Sequence, residues 1–344
     1  MRTIDKRELL LASLHKQFLL AKGKRLEVVS SLCGLQAQFA NNPGHALRIR
    51  SDDHCDQTWR EGLVKTWTFR HTLHAIRRDE LDLFISAQGV PGGWDDGWGL
   101  SRRVKPRWSS LIRGWIREGI DDRQRLKDKC RERGAEPGAL AIIFHGWGGL
   151  ISEMCQRGMI AYAPGTAKRF VACDDFRPLD RDAARAEILR RYFAHLGPAT
   201  MDDCANFTGF RKKTILGVLE KQPLPLQSVH CAGGEYFYIG EWDASRDIPP
   251  CLLLSGFDQL LLAYRDRTRL LDDKHKPDVV TTTGIIHPAV MLDGRLKAKW
   301  KRDGRVIRVT PFAGMGQRSR RRIAACAGDL FGNDIDAVVF GEQE

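Results

Sequence analysis

The 344-residue chain carries 55 Lys and Arg against 43 Asp and Glu, a formal net charge of +12, and 42% of its residues are apolar. That apolar share supports packed cores, and the length exceeds what one core organises, so two to four domains are expected. The charge favours a polyanionic partner, nucleic acid ahead of an anionic membrane. No run approaches ~18 apolar residues and no lipidation motif occurs, so no membrane helix or anchor is expected. The start, MRTIDKRELLLASL, lacks signal-peptide anatomy because acidic residues interrupt it. Nine dispersed cysteines without a Cys-x-x-Cys spacing read as reduced thiols of a cytoplasmic protein, with no zinc site and no other metal or organic cofactor implied.

In chain order, residues 1–100 offer two helices, ELLLASLHKQFLL and RLEVVSSLCGL, a hairpin of GLVKTWTF with TLHAIRR, and a helical DELDLFISA. Residues 101–178 repeat the plan: helices WSSLIRGWIREG, DRQRLKDKCRERG and IIFHGWGGLISEMCQRG, then a hairpin around Pro164-Gly165. The clearest copy lies in 179–248. Ile188, Leu189, Tyr192, Phe193 and Leu196 make one helical face, closed by Gly197-Pro198. Thr200 caps MDDCANFTG, RKKTILGVLEK supplies the third helix, and PLQSVHCA pairs with EYFYIGEW through Gly233-Gly234. Three helices plus a hairpin describe a winged helix. From 249 to 344 the texture becomes strand-like (CLLLSGFDQLLLAY, DVVTTTGIIHPAVMLDG, RLKAKWKRDG, RVIRVTPF), with Asp293-Gly294 and Asp303-Gly304 as hairpin signals and a basic helix, QRSRRRIAACAGDLF, last. The expected class is α+β: tandem winged-helix domains followed by a β-rich, barrel-like domain.

The segment SLCGLQAQFANNP holds Gln36 and Gln38 where the second helix gives way to a loop. Two amides at i and i+2 each donate and accept, which suits holding a water or a nucleotide without placing charge there. Alone, such a triplet is unspecific and reads first as a helix C-terminus in which both amides cap backbone carbonyls. Its context adds weight. GLQAQ at 34–38, TWTFRHTLHAI at 66–76, LLSGFDQLLLAYRDR at 253–267 and HPAVMLDGRLKAKW at 287–300 occur in the order of the winged-helix DNA glycosylases that repair alkylated and crosslinked DNA, the AlkZ/YcaQ-like, azinomycin-resistance group. The chain resembles that family over nearly its whole length. The resemblance implies a catalytic Gln-apolar-Gln motif, hence Gln36 and Gln38, with no cofactor. Ser255-Gly256 stands where the family pattern has Pro-Ala, and Gln259 where it has Glu.

An N7-alkylated purine leaves with a positive charge already on the base, so the two carboxylates of an ordinary glycosidase are not needed. One amide can accept from the attacking water while the other fixes its orientation; such positioning contributes several kcal/mol. The expectation is a monofunctional DNA glycosylase for N7-alkylated purines or purine interstrand crosslinks in duplex DNA, a monomer located in the cytoplasm at the nucleoid. The competing reading is a non-catalytic winged-helix DNA-binding protein, a regulator or a lesion-sequestering resistance factor. A palindrome-reading regulator pairs two identical units, whereas this chain carries its repeats in tandem.

Arg70, Thr72 and His74 are expected on one strand face near the catalytic loop. Further DNA contacts are expected from Arg102, Arg103 and Lys105, from Arg211, Lys212 and Lys213, and from His287 with Lys299 to Arg302. The tail cluster Arg318, Arg320, Arg321 and Arg322 adds another group. HGWGGLIS is similar to esterase oxyanion loops, but no Gly-x-Ser-x-Gly elbow accompanies it. Asp258 and Asp266 are expected to pair with Arg265 or Arg267.

Overall fold

The computed structural model describes residues 2–146, 148–165 and 167–341. The chain forms two compact units, one of residues 1–59 with 189–344 and one of residues 60–188, so the expected segment 1–100 contributes to both.

The first unit begins with β1 (Arg2–Thr3), α1 (Lys6–Lys16), α2 (Arg25–Ser31), β2 (Leu35–Gln36) and α3 (Asn42–Arg48). Asp5 caps α1 by accepting from the Glu8 amide at 2.7 Å. The second unit holds β3 (Leu63–Trp67), β4 (Leu73–Arg77) and α4 (Leu81–Gln88), then α5 (Lys105–Arg117), α6 (Arg123–Glu132), α7 (Pro137–Ile143) and α8 (Gly149–Gln156), and finally β5 (Ile160–Tyr162) and β6 (Phe170–Ala172). Its strands run in the order β4-β3-β5-β6, all antiparallel. Trp108, Ile112 and Trp115 of α5, Leu126 of α6, Ile143 of α7 and Met154 of α8 share one core with Ile160 and Phe170.

IIFHGWGGLISEMCQRG was expected as one helix, and the structure divides it. Gly149 starts α8 with φ +71°, and a Cβ there would sit 1.9 Å from the Ile142 carbonyl oxygen. Only glycine permits that approach, so α7 ends and the chain restarts in a new direction. Trp147 of this segment, and Thr166 of the β5–β6 connection, lie outside the described residues.

Chain that returns to the first unit comes through α9 (Arg181–Arg191), which continues as a π-helical turn over Tyr192–Leu196. There follow α10 (Met201–Thr208), α11 (Lys212–Lys221), β7 (Gln227–Cys231) and β8 (Gly234–Tyr238). Thr200 and Asp203 form the capping box of α10. The β7–β8 turn is Ala232-Gly233, one residue earlier than expected; φ values of +48° and +81° suit a tight hairpin. β1 joins this hairpin in parallel beside β7, and Ile4, Leu9 and Ala12 pack on Val229, Cys231 and Tyr238.

The C-terminal part comprises β9 (Cys251–Leu254), α12 (Gln259–Leu262), α13 (Lys276–Val279), β10 (Ala289–Leu292), β11 (Arg295–Asp303), β12 (Val306–Pro311), α14 (Gln317–Phe331) and β13 (Ala337–Phe340). The strands form an open sheet in the order β13-β12-β11-β10-β9, not the expected barrel. α14 covers one face, with Ile323, Ala327 and Phe331 against Ala298, Trp300, Ile307 and Val309. Two strand readings are corrected. QLLL is helical because Asp258 caps it, accepting from the Leu260 amide at 2.9 Å. DVVTTTGIIHP begins in the last two residues of α13 and continues as a turn, and the strand starts only at Ala289.

Candidate active site and nucleic-acid interface

After α2 the backbone turns through two left-handed residues, Cys33 at φ +56° and Gly34 at φ +78°, and delivers Leu35–Gln36 in extended form. Gln36 and Ala37 are buried, Gln38 is half-buried, and Phe39 is 49% exposed. The Phe39 ring stacks on Phe257 with centroids 5.8 Å apart.

This turn is held from the other end of the unit. Gln259, fully buried at the start of α12, donates through Nε2 to the Leu32 carbonyl at 3.0 Å and to the Gly34 carbonyl. One amide thus bridges the two carbonyls that bracket Cys33, three residues before Gln36. Beside it, Asp258 makes a bidentate pair with Arg50, at 2.6 and 3.0 Å, and both side chains are fully enclosed. Arg50 also donates to the Gln17 and Ala46 carbonyls. Burial opposes ionisation of Asp258, but the Arg50 guanidinium and the bonds from Leu260 and Ser255 outweigh it and hold the carboxyl below the usual range. Asp258 therefore pairs with Arg50, not with Arg265 or Arg267 as expected. Asp266 caps its own turn by accepting from the Thr268 amide at 2.8 Å.

His45 of α3 sets Nε2 2.6 Å from the Leu253 carbonyl and packs on Trp300 and Phe331. Burial pushes its pKa down to about 4 although that carbonyl favours the charged form, so near neutrality His45 is an uncharged donor. Gln259 fixes the turn that leads to Gln36, and the Asp258–Arg50 pair next to it in sequence is balanced in charge.

In the second unit, Arg70 does not share a strand face with Thr72 and His74. Arg70 and His71 take left-handed φ values of +53° in the turn between β3 and β4. Thr72 donates its hydroxyl to the Phe69 carbonyl at 3.0 Å. His74 is fully buried, with Nδ1 2.8 Å from the Thr68 hydroxyl, and burial, then the nearby Arg70 charge, lower its pKa to about 3. It is an enclosed neutral imidazole, not a surface cation. Arg102 and Arg103 are exposed ahead of α5, and Arg102 lies 3.7 Å from Asp96. Lys105 is buried, its ammonium held by Asp95 at 2.7 Å and Glu153 at 2.8 Å, which removes it from the exposed set.

Arg211, Lys212 and Lys213 are exposed at the N-terminal end of α11, Lys212 within 3.1 Å of Asp202. The most ordered basic surface lies on the C-terminal sheet. Period-two alternation puts Lys297, Lys299 and Lys301 of β11 on the face opposite α14, and Lys301 stands directly across from Arg308 of β12. Lys299, Lys301, Arg308 and His287 line a cavity of about 660 Å³. Burial and the Lys299 charge lower the His287 pKa. Arg302 belongs to the other face: its guanidinium donates to the Gly304 and Asp334 carbonyls and sits over the Phe331 ring. In the tail cluster, Arg322 is held bidentately by Asp293. Sequence reasoning missed Arg308 and Lys297, although the alternation in LKAKWK signals the latter. It also missed Arg50, for which no local signal exists.

The first unit thus carries both a Gln turn whose first amide is buried and a sheet face lined with basic side chains. A family model described as DNA glycosylase AlkZ-like matches residues 29–332, and the chain belongs to that family. An interstrand DNA cross-link repair glycosylase from Streptomyces sahachiroi is 26% identical over 313 residues, covering 83% of this chain and 84% of the relative. The solved structure of the Streptomyces sahachiroi DNA glycosylase AlkZ superposes with a TM-score of 0.77 at 22% identity, over 98% of this chain and 100% of that one. The α+β fold of the two is shared.

Proposed function

We propose that this protein is a monofunctional DNA glycosylase that hydrolyses the N-glycosidic bond of N7-alkylated purines or purine interstrand crosslinks in duplex DNA, with Gln36 and Gln38 positioning the water. The observation that carries this reading is the clamped Gln36 turn: an amide pair delivered by a double left-handed bend whose carbonyls Gln259 ties down. A rigidly held amide can fix a water near the anomeric carbon, and the positive charge on the alkylated base supplies the leaving-group activation. A glutamine is no general base, so undamaged purines stay intact. No lysine lies between Gly34 and Asn42 to form a Schiff base, so base loss without strand cleavage is expected. The three helix-and-hairpin repeats, read as tandem winged helices at 1–100, 101–178 and 179–248 ahead of the sheet domain at 249–344, supply the DNA-binding frame. The basic face of β11 and β12 and the Arg211–Lys213 end of α11 meet phosphates.

The test is release of 7-methylguanine from a labelled duplex. Gln36→Ala and Gln38→Ala are expected to lose ~100-fold or more in rate while still binding DNA. Unchanged release by both variants moves the chemistry to other residues. No release by the wild type, from this or from a bulkier N7 adduct, with tight DNA binding retained, favours the lesion-sequestering protein.

A further inference from the structure

Cys251 opens β9, and Cys326 lies on α14 where this helix packs on the sheet. Both side chains are half-buried, whereas Cys33, Cys130, Cys155, Cys173, Cys204 and Cys231 are enclosed and Cys55 is exposed by itself. Cys326 donates its S–H to the Cys251 carbonyl at 3.6 Å, and the titrations of the two thiols influence one another. Both line a groove of about 570 Å³ whose walls include Leu19, Ile49 and Arg322, wide enough to admit a small oxidant.

We propose that Cys251 and Cys326 are a peroxide-reactive dithiol that closes to a disulfide between β9 and α14. The Cys326 thiolate attacks one oxygen of hydrogen peroxide; the O–O bond breaks, Cys326 becomes a sulfenic acid, and the departing hydroxide takes up a proton to leave as water. Cys251 sulfur then attacks the sulfenic sulfur. The S–S bond forms, the S–O bond breaks, and hydroxide combines with the Cys251 proton as a second water. Two thiols are oxidised and one peroxide is reduced to two waters.

The surroundings assign the two roles. The Cys251 thiol favours ionisation of Cys326 and lowers its pKa, against burial. The same pairing, reinforced by burial, raises the pKa of Cys251, which keeps its proton until the second step. A thiolate is the reactive form of cysteine, so Cys326 is the attacking residue and Cys251 the resolving one.

The experiment uses the full chain carrying Cys55→Ser, which removes the isolated exposed thiol. One equivalent of hydrogen peroxide is added, remaining thiols are alkylated under denaturing conditions, and intact mass and peptide maps are recorded. The expected result is joint loss of two alkylatable thiols, a mass lower by two hydrogens, and one crosslinked peptide pair joining 251 to 326, all reversed by dithiothreitol. In Cys251→Ala the reaction is expected to stop at a sulfenic acid on Cys326, trapped by dimedone. Should that variant fail to fold, the map of the Cys55→Ser protein decides alone. Full alkylation of both residues after peroxide, or a disulfide joining any other pair, overturns the proposal.

Discussion

Gln259 shows why an amide, not an acid, occupies its position. It gives two N–H bonds to carbonyls in a buried site. A glutamate there has no N–H to give and would set a negative charge against two carbonyl oxygens, so its folded-state pKa would rise above the unfolded value of ~4.3. The sign follows: between those two values the folded state binds the extra proton, so Gln259→Glu should gain stability relative to wild type as pH falls from 8 towards 5. Gln259→Leu leaves both carbonyls unpaired at every pH and should cost about 2–3 kcal/mol throughout. Urea midpoints of the two variants against pH make the check, and parallel profiles would sink the argument. The Gln36 motif itself was legible, because a short local pattern carries it. Arg50 was not: its carboxylate stands at Asp258, far along the chain, and nothing local distinguishes a guanidinium that will be buried from one that will be solvated. Lys105 failed the same way, since Glu153 reaches it only in the folded second unit.

The C-terminal sheet makes the basic alternation of β11 an ordered array. Lys299→Ala and Lys301→Ala should each weaken binding to undamaged duplexes of any sequence and reduce the slope of log K against log salt by ~1. Arg302→Ala should change the slope less, because its guanidinium is already engaged by the Gly304 and Asp334 carbonyls. Fluorescence anisotropy across a salt series separates these outcomes; equal slopes for all three variants would remove β11 from the interface. Helices with a strong cap or an apolar stripe, such as α10 and α14, were readable from sequence, as were the hairpins with glycine turns. The parallel strands β1 and β13 were not. Two and four residues carry too little periodicity, and their partners are chosen by packing. QLLL was ambiguous for a related reason: a short apolar run fits a buried strand or a helical turn, and only the Asp258 cap decides.

Across the molecule, three imidazoles withdrawn from solvent, His74 fully and His45 and His195 in part, couple folding to pH. Burial, ahead of the neighbouring charges, lowers His45 and His195 to about 4 and His74 to about 3, from an ordinary value of 6.5. Above pH 6.5 they are neutral in both states. Below it the unfolded chain takes up protons that the native protein refuses, so stability falls on acidification by about 1.4 kcal/mol per pH unit for each histidine until its folded pKa is reached. Urea unfolding at pH 7 and pH 5 should show this loss with net proton uptake; a flat profile would contradict it. The division of the chain into units has a different consequence, set by the direction of synthesis. Residues 60–188 emerge as one continuous piece and can complete their unit on the ribosome. The N-terminal helix cannot. Leu9 and Ala12 of α1 await Val229 and Tyr238, and Arg2 awaits Val229 itself. At ordinary translation speeds that interval is on the order of tens of seconds, during which the apolar side of α1 is offered to whatever holds nascent chains.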